Sequence, residues 1–163
     1  MTTTTPLVDP RVIALAHYAG RALLEKVLAR HGSTFQQSVT LRLAAVADGP
    51  VDRDGLVDGV VGALKIDAAE AHSVVDELIA AELLAPQEPS AVRITAAGRE
   101  RYDSTSAATA PITARIYADI PKEDLAAAGR VLTLIAERAN AELAAMDAMA
   151  DTSDATDATD ATQ

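Results

Sequence analysis

From Val8 to Arg30 the apolar positions Val12, Leu15, Ala16, Ala19, Ala22, Leu23 and Val27 recur at intervals of three and four, the mark of one amphipathic helix. Gly32 supplies its stop. Ser33-Thr34-Phe35-Gln36 reads as a capping box, with Ser33 at the N-cap and Gln36 three residues on. It opens a second helix through Leu41, Leu43 and Val46, ending at Asp48-Gly49-Pro50. A third helical stretch runs from about Asp52 to Leu64, with Leu56, Val60, Val61 and Leu64 on its apolar face and Gly55, Gly59 and Gly62 weakening it. After the joint Lys65-Ile66-Asp67, Asp67 and Glu70 form another capping box. The helix that follows reaches Leu83 or Leu84 and buries Val74, Val75, Leu78, Ile79 and Leu83. Two helices joined so briefly predict a helix-turn-helix.

Beyond Leu84 the pattern changes. Ala85-Pro86-Gln87-Glu88-Pro89-Ser90 is turn material, Ala91-Val92-Arg93-Ile94 is a short strand candidate, and Thr95 can cap the next helix. A strand-turn-strand in this place predicts a wing. Further on, Asp119-Ile120-Pro121-Lys122-Glu123-Asp124 puts proline and acidic residues where a helix start favours them. The apolar positions Leu125, Ala128, Leu132, Ile135, Ala139 and Met146 then step by threes and fours. A helix to about Met149 would span roughly 40 Å, and so long an apolar stripe in a small chain requires a partner helix, from the N-terminal helix or a second subunit.

The chain has 163 residues, 49% of them hydrophobic but only 2% aromatic, so its core must be aliphatic, which favours helices. It has no Cys, which excludes disulfides, thiolate metal sites and thiol-based sensing. The three histidines, His17, His31 and His72, lack metal-ligand spacing, and no phosphate loop, nucleophile elbow or zinc-protease helix occurs. An enzyme is not expected, nor a cofactor or metal. No run approaches the roughly 18 apolar residues of a membrane span, and Met1-Thr2-Thr3-Thr4-Thr5-Pro6 lacks the regions of a signal peptide. A cytoplasmic protein with no membrane partner is the expectation.

Net charge is −10, the wrong sign for a chain that holds phosphates. Its distribution matters more. Residues 33–103 carry six basic and twelve acidic side chains, whereas residues 1–32 carry four and two. The C-terminal Asp-Thr-Ser-Asp-Ala-Thr-Asp-Ala-Thr-Asp-Ala-Thr-Gln is a three-residue repeat with nothing large to bury, so disorder is expected there.

This order of elements resembles the multiple-antibiotic-resistance regulator (MarR) family of winged-helix transcription factors. The resemblance covers roughly residues 8–149 and rests on Ser33-Thr34-Phe35-Gln36, Val75-Asp76-Glu77-Leu78, Ile94-Thr95-Ala96-Ala97-Gly98-Arg99-Glu100 and Ile120-Pro121-Lys122-Glu123-Asp124-Leu125. It implies a mainly α fold with a small β wing: a winged helix-turn-helix domain over 33–103 with dimerisation helices over 8–32 and 104–150, between a flexible 1–7 and the acidic tail 151–163. It also implies a homodimer that binds a palindromic promoter site in double-stranded DNA and is modulated by a small, often aromatic, effector. Lys65, Ala69, His72, Ser73, Arg93 and Arg99 are the expected DNA-contacting residues, with Arg101 a further phosphate contact. His17, Tyr18 and Phe35 are candidates for an effector pocket. Val12, Leu15, Leu23, Leu125, Leu132 and Ile135 are the expected dimer interface.

The chain departs from the family pattern in its wing, where nine residues separate Leu84 from Ile94 and Arg93 is the sole basic one. It departs again in the recognition helix, where Asp67, Glu70 and Asp76 stand on or beside the reading face without Arg or Lys. About four extra residues lie between Pro50 and Val60, and Lys65 and Glu82 stand where the family has glycine. These departures motivate an alternative: a winged-helix dimer with weak or lost DNA binding that acts as a ligand-binding or protein-interaction module.

Overall fold

A computed structural model describes residues 7–47 and 49–160. The chain divides into two compact units, Met1–Ile116 and Tyr117–Gln163. In the first, α1 spans Pro10–Arg30, α2 Phe35–Val46, β1 Val51–Asp52, α3 Arg53–Leu64, α4 Ala68–Ala80, β2 Leu84–Gln87, β3 Ala91–Ile94 and α5 Ala96–Ile116. The second unit contains α6, Lys122–Asp160.

The helix starts follow local chemistry. Asp9 caps α1, its carboxylate accepting from Val12 N at 2.8 Å with Pro10 in the first turn, so the helix begins two residues after the expected Val8. The capping box of α2 is shifted by one residue from the sequence reading. Thr34 is the N-cap and accepts from Gln37 N, while the Gln37 side chain accepts from Thr34 N, both at 3.1 Å. Ser33-Thr34 and Gln36-Gln37 offer two equivalent boxes in sequence, and the one used leaves Gln36 free for a tertiary bond. Asp67 caps α4 through Glu70 N at 2.7 Å, and Thr95 caps α5 through Gly98 N at 3.0 Å.

Gly32, Lys65 and Glu82 all have positive φ, at 62°, 56° and 58°. The helix-turn-helix joint therefore keeps a left-handed turn although lysine, not glycine, occupies it, at a cost of about 1 kcal/mol. The core gathers Leu41 and Ala44 of α2, Val57 and Val60 of α3, and Val75 and Leu78 of α4, closed by Leu84 and Val92 of the sheet. The sheet order is β1-β3-β2, antiparallel throughout, with Val51 opposite Val92 and Leu84 opposite Ile94. The two-residue β1 was not anticipated; only a partner some forty residues away makes it a strand.

The hairpin is short and tethered. Ser90 Oγ donates to Asp52 Oδ1 at 2.9 Å and Arg53 N donates to Ser90 O at 2.9 Å, so its turn is fastened to the start of α3. At its base Gly98 packs on the Leu83 carbonyl so closely that a Cβ there would overlap that oxygen and lie 2.9 Å from Ile94 Cγ1. Helix α5 continues unbroken for 21 residues, with Thr105 buried. The expected boundary at 103/104 thus falls inside a helix, because core contacts continue past it.

In the second unit, α6 follows Pro121, whose carbonyl accepts from Asp124 N and Leu125 N. Leu125 is half-buried, while Leu132, Ile135, Leu143 and Met146 are exposed. The helix extends past Met149 to Asp160, beyond the point where a disordered tail was expected. Adding residues to an existing helix avoids the nucleation cost. The expectations for residues 1–6 and 161–163 lie outside the described residues.

Candidate nucleic-acid interface and internal cavity

Helix α4 turns Ala71, Val74, Val75 and Leu78 into the core, which leaves Ala69, Ser73, Asp76 and Ala80 along its outer face. His72 sits half-buried at the edge of that face. Lys65 is exposed at the C-cap of α3, just before α4 begins. The acidic residues of α4 are each held from a neighbouring helix. Gln36 Nε2 donates to Glu70 at 2.5 Å, Gln37 Nε2 donates to Glu77 at 2.9 Å, and Arg53 pairs with Asp76 at 2.5 Å. These contacts hold Glu70 and Glu77 at the flanks of the face, still charged, and pair Asp76, which lies on the face itself, with a cation. Sequence reasoning placed Glu70 and Asp76 on or beside the reading face but gave no sign of the partners, which lie 34 and 23 residues away.

Arg93 is exposed on β3. Arg99, expected as a phosphate contact, is half-buried and donates through Nη1 to Ala45 O at 2.7 Å, which satisfies a carbonyl left open at the end of α2. Its first role is therefore structural. Both arginines nonetheless line one open depression of about 240 Å³ with Pro50 and Ile94. Arg101 likewise turns inward, Nη1 donating to His31 O and, at 3.2 Å, to Ser33 Oγ.

Of the three candidates for an effector pocket, none lines the cavity that lies between α1, α2 and α5. His17 and Tyr18 are exposed on α1 and make an edge-to-face contact at 5.7 Å. Phe35 lies under the Arg21 guanidinium, 4.7 Å from its ring centroid, a cation–π contact that fastens α1 to the start of α2. The cavity itself, about 210 Å³, opens between α1, α2 and α5. Leu24 and Leu28 of α1 and Val39 and Leu41 of α2 form its apolar wall. Arg42, Arg101, Tyr102 and Thr105 bring polar groups to it. It was missed in sequence because hydroxyl and aliphatic residues on three separate helices carry no local signal.

The dimer-interface candidates are left uncovered to different degrees. Val12, Leu15, Leu132 and Ile135 are 40%, 59%, 42% and 39% exposed, while Leu23 and Leu125 are half-buried. Among the described residues no helix is long and apolar enough to cross a membrane.

The architecture has clear counterparts among solved structures. CouR from Rhodococcus jostii, bound to p-coumaroyl-CoA, superposes with a TM-score of 0.64 at 22% identity, over 82% of this chain and 96% of that one. NadR in complex with 4-hydroxyphenylacetate gives 0.65 at 18% identity, over 83% and 98%. A MarR family protein of Mycobacterium tuberculosis in complex with DNA gives 0.59 at 19% identity, over 81% and 98%. The fold is that of the MarR-type transcriptional regulators. At these identities the likeness speaks for the fold. No protein-family model matches the sequence, and no curated protein matches it. Within the MarR-type fold, α3 and α4 form the helix-turn-helix and β2–β3 the wing, tied down by Ser90.

Proposed function

We propose that the protein is a DNA-binding transcriptional regulator that acts in the cytoplasm as a homodimer on a palindromic promoter site and responds to a small effector. The observation that carries this reading is the outer face of α4. Its small residues Ala69 and Ser73 let the helix approach base edges, with Lys65 exposed nearby and Arg93 on the adjoining hairpin. The M. tuberculosis protein of the same fold, solved with DNA, supports it. Dimerisation is supported by the apolar residues that α1 and α6 leave exposed, Leu15 and Leu132 among them. A two-fold dimer carries two recognition helices to two half-sites, hence the palindrome. The cavity between α1, α2 and α5 is the place for the effector, a role supported by the ligand complexes of CouR and NadR.

The test is a mobility-shift titration of the full-length chain with its own promoter region at several salt concentrations. Affinity should fall steeply as salt rises, because binding releases counterions from the phosphates. Arg93→Ala should weaken binding at every sequence and flatten the salt slope by about one ion. The acidic flanks of α4 favour one other reading, a winged-helix dimer that binds ligand or protein and not DNA. Absence of any shift at low salt, from a folded dimer, would establish that second reading in place of the first.

A further inference from the structure

Arg53, the first residue of α3, is held at both ends by other elements of the winged helix. Its backbone amide donates to Ser90 O in the turn of the hairpin at 2.9 Å, and its Nη2 donates to Asp76 Oδ1 on α4 at 2.5 Å. Among the described residues the other ion pair, Arg21–Glu25, lies within α1, so Arg53–Asp76 is the one that ties two elements together. It does so on the outer face of α4. Ala69, Ser73 and Ala80 on that face are small, so Asp76 and the arginine it holds are the largest side chains there. Both are accessible, with the Arg53 and Asp76 side chains 37% and 61% exposed.

We infer that Arg53 reads a guanine in the major groove, with Asp76 as the residue that positions it; the inference rests on the DNA-binding reading and adds a specificity determinant to it. A guanidinium carries five N–H donors in a rigid fork, and the bond to Asp76 uses one of them. The remaining donors match the O6 and N7 acceptors of guanine, which arginine takes two at a time. Fixing the main chain at one end and the guanidinium at the other removes much of the freedom that such a contact must otherwise give up. A phosphate suits this arginine less. Its charge is already met by Asp76, and Asp54 and Glu88 border the same depression of about 240 Å³ beside the hairpin turn. Carboxylates repel a phosphate, whereas the edge of a base is neutral, so the directional donors keep their use after the net charge is lost.

Selection of random double-stranded oligonucleotides by the full-length protein, followed by affinity titrations of the selected site, tests the inference. Each half-site should carry a guanine that Arg53→Ala no longer selects, while preferences at the other positions persist. Replacing that guanine by 7-deazaguanine, in which C–H stands in place of the N7 acceptor, should lower the affinity of the parent about tenfold and that of Arg53→Ala less than about twofold. Arg53→Lys keeps the charge without the fork and should select no better than alanine. Asp76→Asn should weaken the preference for that guanine a few-fold without moving it to another position. The 7-deazaguanine titration of the parent needs no substitution, so it decides even if a variant fails to fold. A parent site at which no guanine responds to 7-deazaguanine overturns the inference. So does an Arg53→Ala protein that keeps the parent's preferences, or one that loses affinity equally for every sequence with a flatter salt slope, the behaviour of a phosphate contact. A cytosine preference lost in Asp76→Asn and kept in Arg53→Ala overturns it in favour of Asp76 as the reader. An unchanged guanine preference in Asp76→Asn overturns the positioning role. In each of these cases the DNA-binding reading stands. Failure of the folded protein to select any DNA at low salt overturns both.

Discussion

The two sides of α2 face opposite electrostatic settings. Towards α4, Gln36 and Gln37 meet Glu70 and Glu77 on a flank that stays acidic. Towards α1 and α5, Ser38, Val39 and Arg42 border a cavity that brings two arginines together without a carboxylate. One short helix thus separates a carboxylate-rich surface from a cavity lined without carboxylates. The comparison teaches that a net charge of −10 describes solubility and long-range repulsion better than it describes any one site. It also shows why a phosphate contact is hard to read from sequence: Arg99 and Arg101 are basic in composition and structural in place.

The largest expected effect comes from a residue on which both sides depend. Gly98→Ala should cost about 3 kcal/mol or prevent folding, since the new methyl meets the Leu83 carbonyl; thermal melting followed by circular dichroism checks it. An unchanged melting temperature would mean that the hairpin and α5 are not locked together. Next comes a change on one side only. The paired substitution Glu70→Gln and Glu77→Gln keeps an acceptor for each glutamine but removes two negative charges, and should raise promoter affinity about tenfold without altering ligand binding. If ligand binding moved as well, the two sides of α2 would be coupled more strongly than their contacts imply.

Lys65→Gly should have a smaller effect with two opposed parts. It relieves the left-handed strain of about 1 kcal/mol, partly offset by the entropy of glycine, so melting should rise slightly. Promoter affinity should fall a few-fold as a cation is lost. The smallest effect belongs to neither side. Hydrogen bonds from the Gly55 amide and then the Ser90 hydroxyl lower the Asp52 carboxyl below its ordinary value of 3.8. A carboxyl lowered on folding stabilises the fold above its ordinary value and ceases to do so as pH falls through the lowered one. Asp52→Asn should therefore be slightly less stable than the parent at pH 7, and the gap should close in melts taken below pH 3.8.

Much of the fold was legible because its signals are local. The spacing of Val74, Val75 and Leu78, the stop at Gly32 and the caps at Asp67 and Thr95 all act within one or two turns. The α2 cap was misplaced by one residue because Ser33 and Thr34 are equally competent, and tertiary bonds from Gln36 to Glu70 and from Arg101 to Ser33 Oγ separate them. The sites were less legible. Lys65, Ala69, Ser73 and Arg93 do lie exposed about the helix-turn-helix and hairpin, with His72 at the edge. The cavity did not follow from His17, Tyr18 and Phe35, because aromatic character on α1 says nothing about which helices converge on the space. Convergence of α1, α2 and α5 is a property of packing between residues up to some eighty positions apart.

The continuity of α5 has a mechanical consequence. From the close contact at Gly98 to Ile116 it forms one continuous spoke, with a weak point at Pro111, which lacks an amide hydrogen and crowds the carbonyl four residues back. Twenty-one residues reach about 30 Å, so a tilt of roughly 5° at the hairpin end sweeps the far end through about 3 Å. The cavity residues Arg101 and Thr105 sit on the first half of that spoke, where a small torque is amplified into a displacement large enough to change how a neighbouring surface meshes.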